Sequence, residues 1–75
     1  MPKRHRSLSA LGLKLRQVRE AKRLTQEGLA GKADLDPTYI SGIERGVRNP
    51  SVLSVLRIAK ALGVSVSQLC EGIDS

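Results

Sequence analysis

Apolar residues recur along this chain at intervals of three and four, the spacing that keeps one face of a helix against a core. Leu8, Leu11, Leu15 and Val18 make the first stripe, and Lys14, Arg16, Lys22 and Arg23 lie largely off it, which predicts a basic amphipathic helix from Ser7 or Ser9 to Arg23. Leu29, Ala30 and Ala33 mark a second helix and Ile40 with Ile43 a third, while Leu24 and Leu35 are placed to plug the ends of that pair. A fourth stripe, Val52, Val55, Ile58, Ala59 and Leu62, is expected to face inward from a helix spanning Val52 to Leu62.

Capping chemistry sets where these helices begin and stop. The first N–H groups of a helix have no partner within it, and Thr25, Asp36 and Ser51 carry oxygens suited to accept from them. Pro37, directly after Asp36, has no N–H to leave unpaired and a φ preset for a first helical turn. The third helix therefore runs from Pro37 to about Arg45, where Gly46 can take the left-handed conformation that closes it, as Gly63 does for the fourth. Ser65 and Gln68 match a reciprocal capping box, which predicts a fifth short helix reaching Glu71 before Gly72. The link Ala33-Asp34-Leu35-Asp36 is short enough that the second and third helices must cross steeply around a shared core. Gly28 and Gly31 weaken the second helix, since each costs about 1 kcal/mol relative to alanine.

Composition narrows the class. The 75 residues are enough for one domain, read as residues 7–75 behind a basic arm, residues 1–6, that lacks apolar periodicity. With 40% hydrophobic residues and Tyr39 as the only aromatic, the core is one of Leu, Ile, Val and Ala, suited to close-packed helices in an all-α fold. Thirteen Lys and Arg against seven Asp and Glu give a net charge of +6, which points to a polyanionic partner. That charge is uneven: residues 1–23 hold eight of the cations and one acid, Glu20. Cys70 is alone, so neither an internal disulfide nor a cysteine-rich zinc site is expected, and a reducing, cytoplasmic setting fits. No run is long and apolar enough for a membrane span or a signal core. His5 lies in the arm, and no nucleophile–base or paired-carboxylate set occupies a rigid element, so catalytic residues, a metal site, a cofactor and a small-molecule substrate are not expected.

The segment from Leu24 to Pro50, LTQEGLAGKADLDPTYISGIERGVRNP, has Gln26 early in one helix and Ile-x-x-Ile-Glu-x-Gly ending the next. It resembles the Cro/repressor-type helix-turn-helix regulators of the Xre family, and the likeness extends from about Leu11 to Leu69. Within that family, TYISGIERGVRNPS is most similar to controller proteins of restriction-modification operons. The resemblance implies a compact five-helix, lambda-repressor-like DNA-binding domain. It also implies that Pro37, Thr38, Ser41 and Gly42 face base edges, that Gln26 holds a phosphate, and that Glu44 pairs internally with Arg19. A recognition helix presents its N-terminal residues to the major groove, which agrees with the first four. Arg45, Arg48 and Asn49 flank Gly46, where a loop beside the groove would place them near backbone phosphates. Pro37 stands where controller proteins commonly carry arginine, and proline cannot donate to a guanine, so base preference should differ.

Three features admit two readings from sequence. A mid-helix glycine at Gly42 is explained either by close approach to DNA or by a tight helix crossing. Tyr39 either plugs the flank of the motif or offers its hydroxyl to a phosphate or a neighbouring acid. The arm is either a solvated tail or a minor-groove contact.

Leu53 and Leu56 remain on a flanking face of the fourth helix, and Leu69, Cys70 and Ile73 add apolar surface. A symmetric dimer is the expected use of that face, ahead of additional intramolecular core or membrane contact, and it would set two recognition helices roughly 34 Å apart on a pseudo-palindromic site. The expected function is a homodimeric, sequence-specific regulator of transcription bound to double-stranded DNA, with control of a restriction-modification operon. The alternatives are a phage-type repressor, or an antitoxin or coregulator module acting mainly through protein–protein binding.

Overall fold

The computed structural model describes residues 6–73. Five helices follow in order, α1 (Arg6–Ala21), α2 (Gln26–Ala33), α3 (Pro37–Glu44), α4 (Val52–Leu62) and α5 (Val66–Leu69), and no strand occurs among the described residues. Side-chain oxygens cap the helices as expected. Thr25 Oγ1 accepts from the Gly28 N–H at 2.9 Å, Asp36 Oδ1 from Thr38 at 2.7 Å and Ser51 Oγ from Ser54 at 3.1 Å. Ser65 and Gln68 form the complete capping box.

Four helices close by one device, in which the residue directly after a left-handed one donates back into the last turn. Leu24 donates to Arg19, Leu35 to Ala30, Val47 to Gly42 and Val64 to Ala59. The left-handed residues are Arg23, Asp34, Gly46 and Gly63. α2 packs on both α3 and α4, α1 on α3 and α5, and α5 on α4. Leu15, Leu29, Ile40, Ile43, Ile58 and Leu69 fill the middle, with Leu24 and Leu35 plugging its edges and α2 regular despite Gly28 and Gly31.

Several boundaries and orientations depart from the sequence expectation. α1 begins at Arg6, assigned above to the arm, and ends at Ala21 rather than Arg23, because the backbone turns left-handed at Arg23 so that Leu24 reaches the core. The remainder of the arm, with His5, falls outside the described residues. α3 stops at Glu44 with Arg45 as its cap, and α5 at Leu69 with Cys70 as its cap, short of Glu71. Val52 points along the inward stripe, but on the first turn of α4 nothing covers it, and it is 78% exposed; Ser54 is buried instead.

α1 crosses the C-terminal end of α3 at Gly12, a contact that the sequence reading missed. A methyl group there would collide with the Ile43 carbonyl oxygen and come within 2.6 Å of that of Glu44.

Candidate nucleic-acid interface

The N-terminal ends of α2 and α3 open onto one shared notch of about 550 Å³, lined by Arg19, Thr25, Gln26, Glu27, Pro37, Thr38 and Ser41. The two ends present different chemistry. On α2, Thr25 occupies the Gly28 N–H, which leaves those of Gln26 and Glu27 without helical partners at the positive end of the helix dipole, a setting that favours an anion. On α3, Pro37 has no N–H, Asp36 takes that of Thr38, and those of Tyr39 and Ile40 bond back to the Asp36 carbonyl. That end therefore offers no backbone donor, and what it presents is the exposed Pro37 and Thr38 and the half-buried Ser41, whose hydroxyls donate and accept.

Behind the notch lies a polar hub. Arg19 Nε donates to Glu44 Oε2 at 2.6 Å and Nη2 to Oε1 at 3.0 Å, the bidentate arrangement that fits a guanidinium to a carboxylate. Arg19 Nη1 donates to the Leu24 carbonyl at 2.7 Å, which ties down the turn after α1. The internal pair expected from the family pattern is thus present, and the Glu44 side chain is only 3% exposed. Its hydrogen bond to Glu44 raises the Arg19 guanidinium above its ordinary pKa against the opposing effect of burial, so the charge persists wherever the fold does. Sequence reasoning did not foresee the third member. Gln26 Nε2 donates to Glu44 Oε1 at 3.0 Å, so one amide hydrogen holds α2 to α3 and the second remains available at the notch.

Along the exposed edge of α3 the outcome is mixed. Arg45, Arg48 and Asn49 are exposed at and beyond the C-terminal end of α3. Gly42 is buried, and a tight helix crossing does not account for it: its nearest neighbour is not another helix but the Arg48 side chain, which lies over it. Tyr39 is the plug, packed against the core with its hydroxyl accepting from the Ser51 N–H at 3.2 Å rather than meeting an acid.

A family model described as helix-turn-helix matches residues 15–69. The chain belongs to the Xre/Cro type of helix-turn-helix regulators. Control protein C.BamHI of Bacillus amyloliquefaciens is 49% identical over 61 residues, which cover 80% of this chain and 75% of that protein. Control protein C.MunI of a Mycoplasma species is 42% identical over 64 residues, 84% of this chain and 86% of its own. Among solved structures, the restriction-modification controller protein C.AhdI from Aeromonas hydrophila superposes with a TM-score of 0.85 at 42% identity, covering 87% of this chain and 98% of that one. This regulator is accordingly a DNA-binding transcription factor and not an enzyme.

The apolar surface proposed from sequence is partly reassigned. Leu53 and Leu56, 59% and 50% exposed, do form an open face on α4, and the exposed Val52 extends it. Cys70 is exposed and Ile73 half-buried nearby in sequence. Leu69 is excluded from that face, because it turns into the core and is 1% exposed. No helix among the described residues is long and apolar enough to cross a membrane.

Proposed function

We propose that this regulator binds a pseudo-palindromic operator as a homodimer, setting the N-terminal end of α3 in the major groove and anchoring α2 on the adjoining phosphate. The observation that carries this reading is the shared notch: one helix end offers unpaired donors suited to a phosphate, and the other offers Thr38 and Ser41 free of backbone duties. Gln26 donates its second amide hydrogen to that phosphate, and Arg45, Arg48 and Asn49 extend the contact along the backbone. The basic balance of the chain supplies sequence-independent affinity. Val52, Leu53, Leu56, Cys70 and Ile73 form the dimer face, which a small domain with three large apolar side chains on one helix surface has reason to cover. Similarity to control proteins supports a cytoplasmic role at a restriction-modification operon.

Selection of bound duplexes from a random pool at physiological salt, followed by footprinting and sedimentation, tests these statements together. The expected product is a pseudo-palindrome whose half-site centres lie about 10 base pairs apart, bound by two chains. Absence of enrichment would overturn the operator reading, and enrichment of an asymmetric site bound by one chain would overturn the dimer. A reporter driven by the chain's own upstream region tests the operon assignment through a response to added protein.

A further inference from the structure

Gly42 is the one residue on the exposed face of α3 without a side chain, and the loop fills its place. Positions 38, 41, 42 and 45 fall on a single face of a helix. Three of them carry Thr38, Ser41 and Arg45. Over the fourth, a methyl built on Gly42 would overlap Arg48 Cγ and stand 3.4 and 3.5 Å from Arg48 Cβ and Cδ. The turn that closes α3 brings Arg48 there, since the N–H groups of Val47 and Arg48 both donate to the Gly42 carbonyl, at 3.0 and 3.2 Å. One helical step away stands Tyr39, its hydroxyl accepting from Ser51 and its ring centroid 6.0 Å from the Arg48 Cζ, within reach of a cation–π contact. The slot thus has a floor at Gly42 and a wall at Tyr39, and the wall is itself fixed to the start of α4.

We infer that Gly42 is a positioning residue, which acts by seating the Arg48 side chain across the recognition face so that its guanidinium is oriented before DNA arrives. A free arginine spreads over many rotamers and must be ordered on binding, whereas a seated one has lost most of that freedom already. On an all-L helix face, only glycine leaves room for another residue's aliphatic stem to lie directly on the backbone. The inference rests on the DNA-binding reading above.

The test compares the full chain with Gly42→Ala, Arg48→Ala and the double variant, by affinity for the selected operator and by thermal melting. Alanine favours helix over glycine, so Gly42→Ala is expected to melt no lower than the parent while binding roughly tenfold more weakly, about the loss of one charge-assisted contact. Arg48→Ala should weaken binding similarly, and the double variant no further, because both changes remove one seated side chain. Unchanged binding by Gly42→Ala, or losses that multiply in the double variant, overturns the inference while leaving the operator reading intact. Failure of the parent to bind any duplex overturns both. Should Gly42→Ala not fold, NMR of the unaltered chain still decides: seated Arg48 protons are displaced by the Tyr39 ring current, and that displacement disappears in Tyr39→Leu. Random-coil shifts for Arg48 in the parent overturn the inference.

Discussion

The two ends of α3 are built on opposite plans. Its C-terminal end is held from three sides: Arg19 and Gln26 converge on Glu44, the backbone of α1 lies against it at Gly12, and Gly46 turns the chain away. At its N-terminal end Ile40 and Tyr39 pack on the core, while Asp36 and Pro37 act on the backbone of α3 itself. Tertiary ties on the inner side leave the outward side chains of the N-terminal end, Thr38 and Ser41, free of structural duties. Among the described residues the Thr38 and Ser41 side chains make no hydrogen bond to another element, which is what a surface that discriminates among partners requires, since each can change without altering the scaffold.

This contrast is tested most severely at Glu44. Glu44→Gln removes the carboxylate that holds the Arg19 guanidinium by two hydrogen bonds, which costs roughly 3–5 kcal/mol. A chain of this length has about 4–11 kcal/mol in total at 0.05–0.15 per residue, so the variant is expected to lose much of its folded population at 37 °C by circular dichroism. A melting temperature equal to the parent's would mean that the hub is not what fixes this end of α3. Second in size is Gly12→Ala, which forces α1 away from the Ile43 and Glu44 carbonyls and is expected to cost about 1–3 kcal/mol, the usual range for overpacking. An ordinary alanine-for-glycine gain in helix stability there would show that the crossing is looser than described.

At the other end the expectation reverses. Thr38→Ala and Ser41→Ala should each leave melting within about 0.5 kcal/mol of the parent, as surface changes do. Each should weaken the selected operator by about 1 kcal/mol, the contribution of one ordinary hydrogen bond, with little effect on unrelated duplex. Gel-shift titrations at two salt concentrations separate the outcomes. Equal loss on all duplexes would move these residues from base edges to the backbone and weaken the division of labour between the ends.

The same division governs what can be read from the sequence. Thr25, Asp36-Pro37, Ser51 and the Ser65–Gln68 box act within a few residues of themselves, so the five helices and most of their starts were legible. The open end of α3 was legible for the same reason. The locked end was only half so. Likeness to a family gave the Arg19–Glu44 pair, but Gln26's bond to Glu44 and the crossing at Gly12 depend on which helices meet in space, and no local pattern encodes that. Leu69 was misplaced because α5, at four residues, is too short to show a stripe. Val52 was misplaced because periodicity gives a direction and not a neighbour. Gly42 announced itself by its cost, yet its occupant, Arg48, comes from the loop beyond.

The smallest expected effect concerns how helices other than α3 are closed. α3 and α4 turn on glycines, Gly46 at φ 75° and Gly63 at φ 71°, whereas α1 and α2 make the same turn on Arg23 at φ 59° and Asp34 at φ 57°. A left-handed residue other than glycine costs roughly 1–2 kcal/mol, less for Asp, whose short side chain tolerates the region. Arg23→Gly should remove that strain but adds freedom to the unfolded chain, so a net gain of about 0.5–1 kcal/mol is expected, or about 2–8 °C in melting temperature for a domain of this size. Arg23→Ala serves as the control, because it removes the charge and keeps the strain, and it should give no gain. Asp34→Gly should gain less than Arg23→Gly. If both glycine variants instead lose stability, the turns after α1 and α2 are not strained, and their closures cost no more than the glycine closures of α3 and α4.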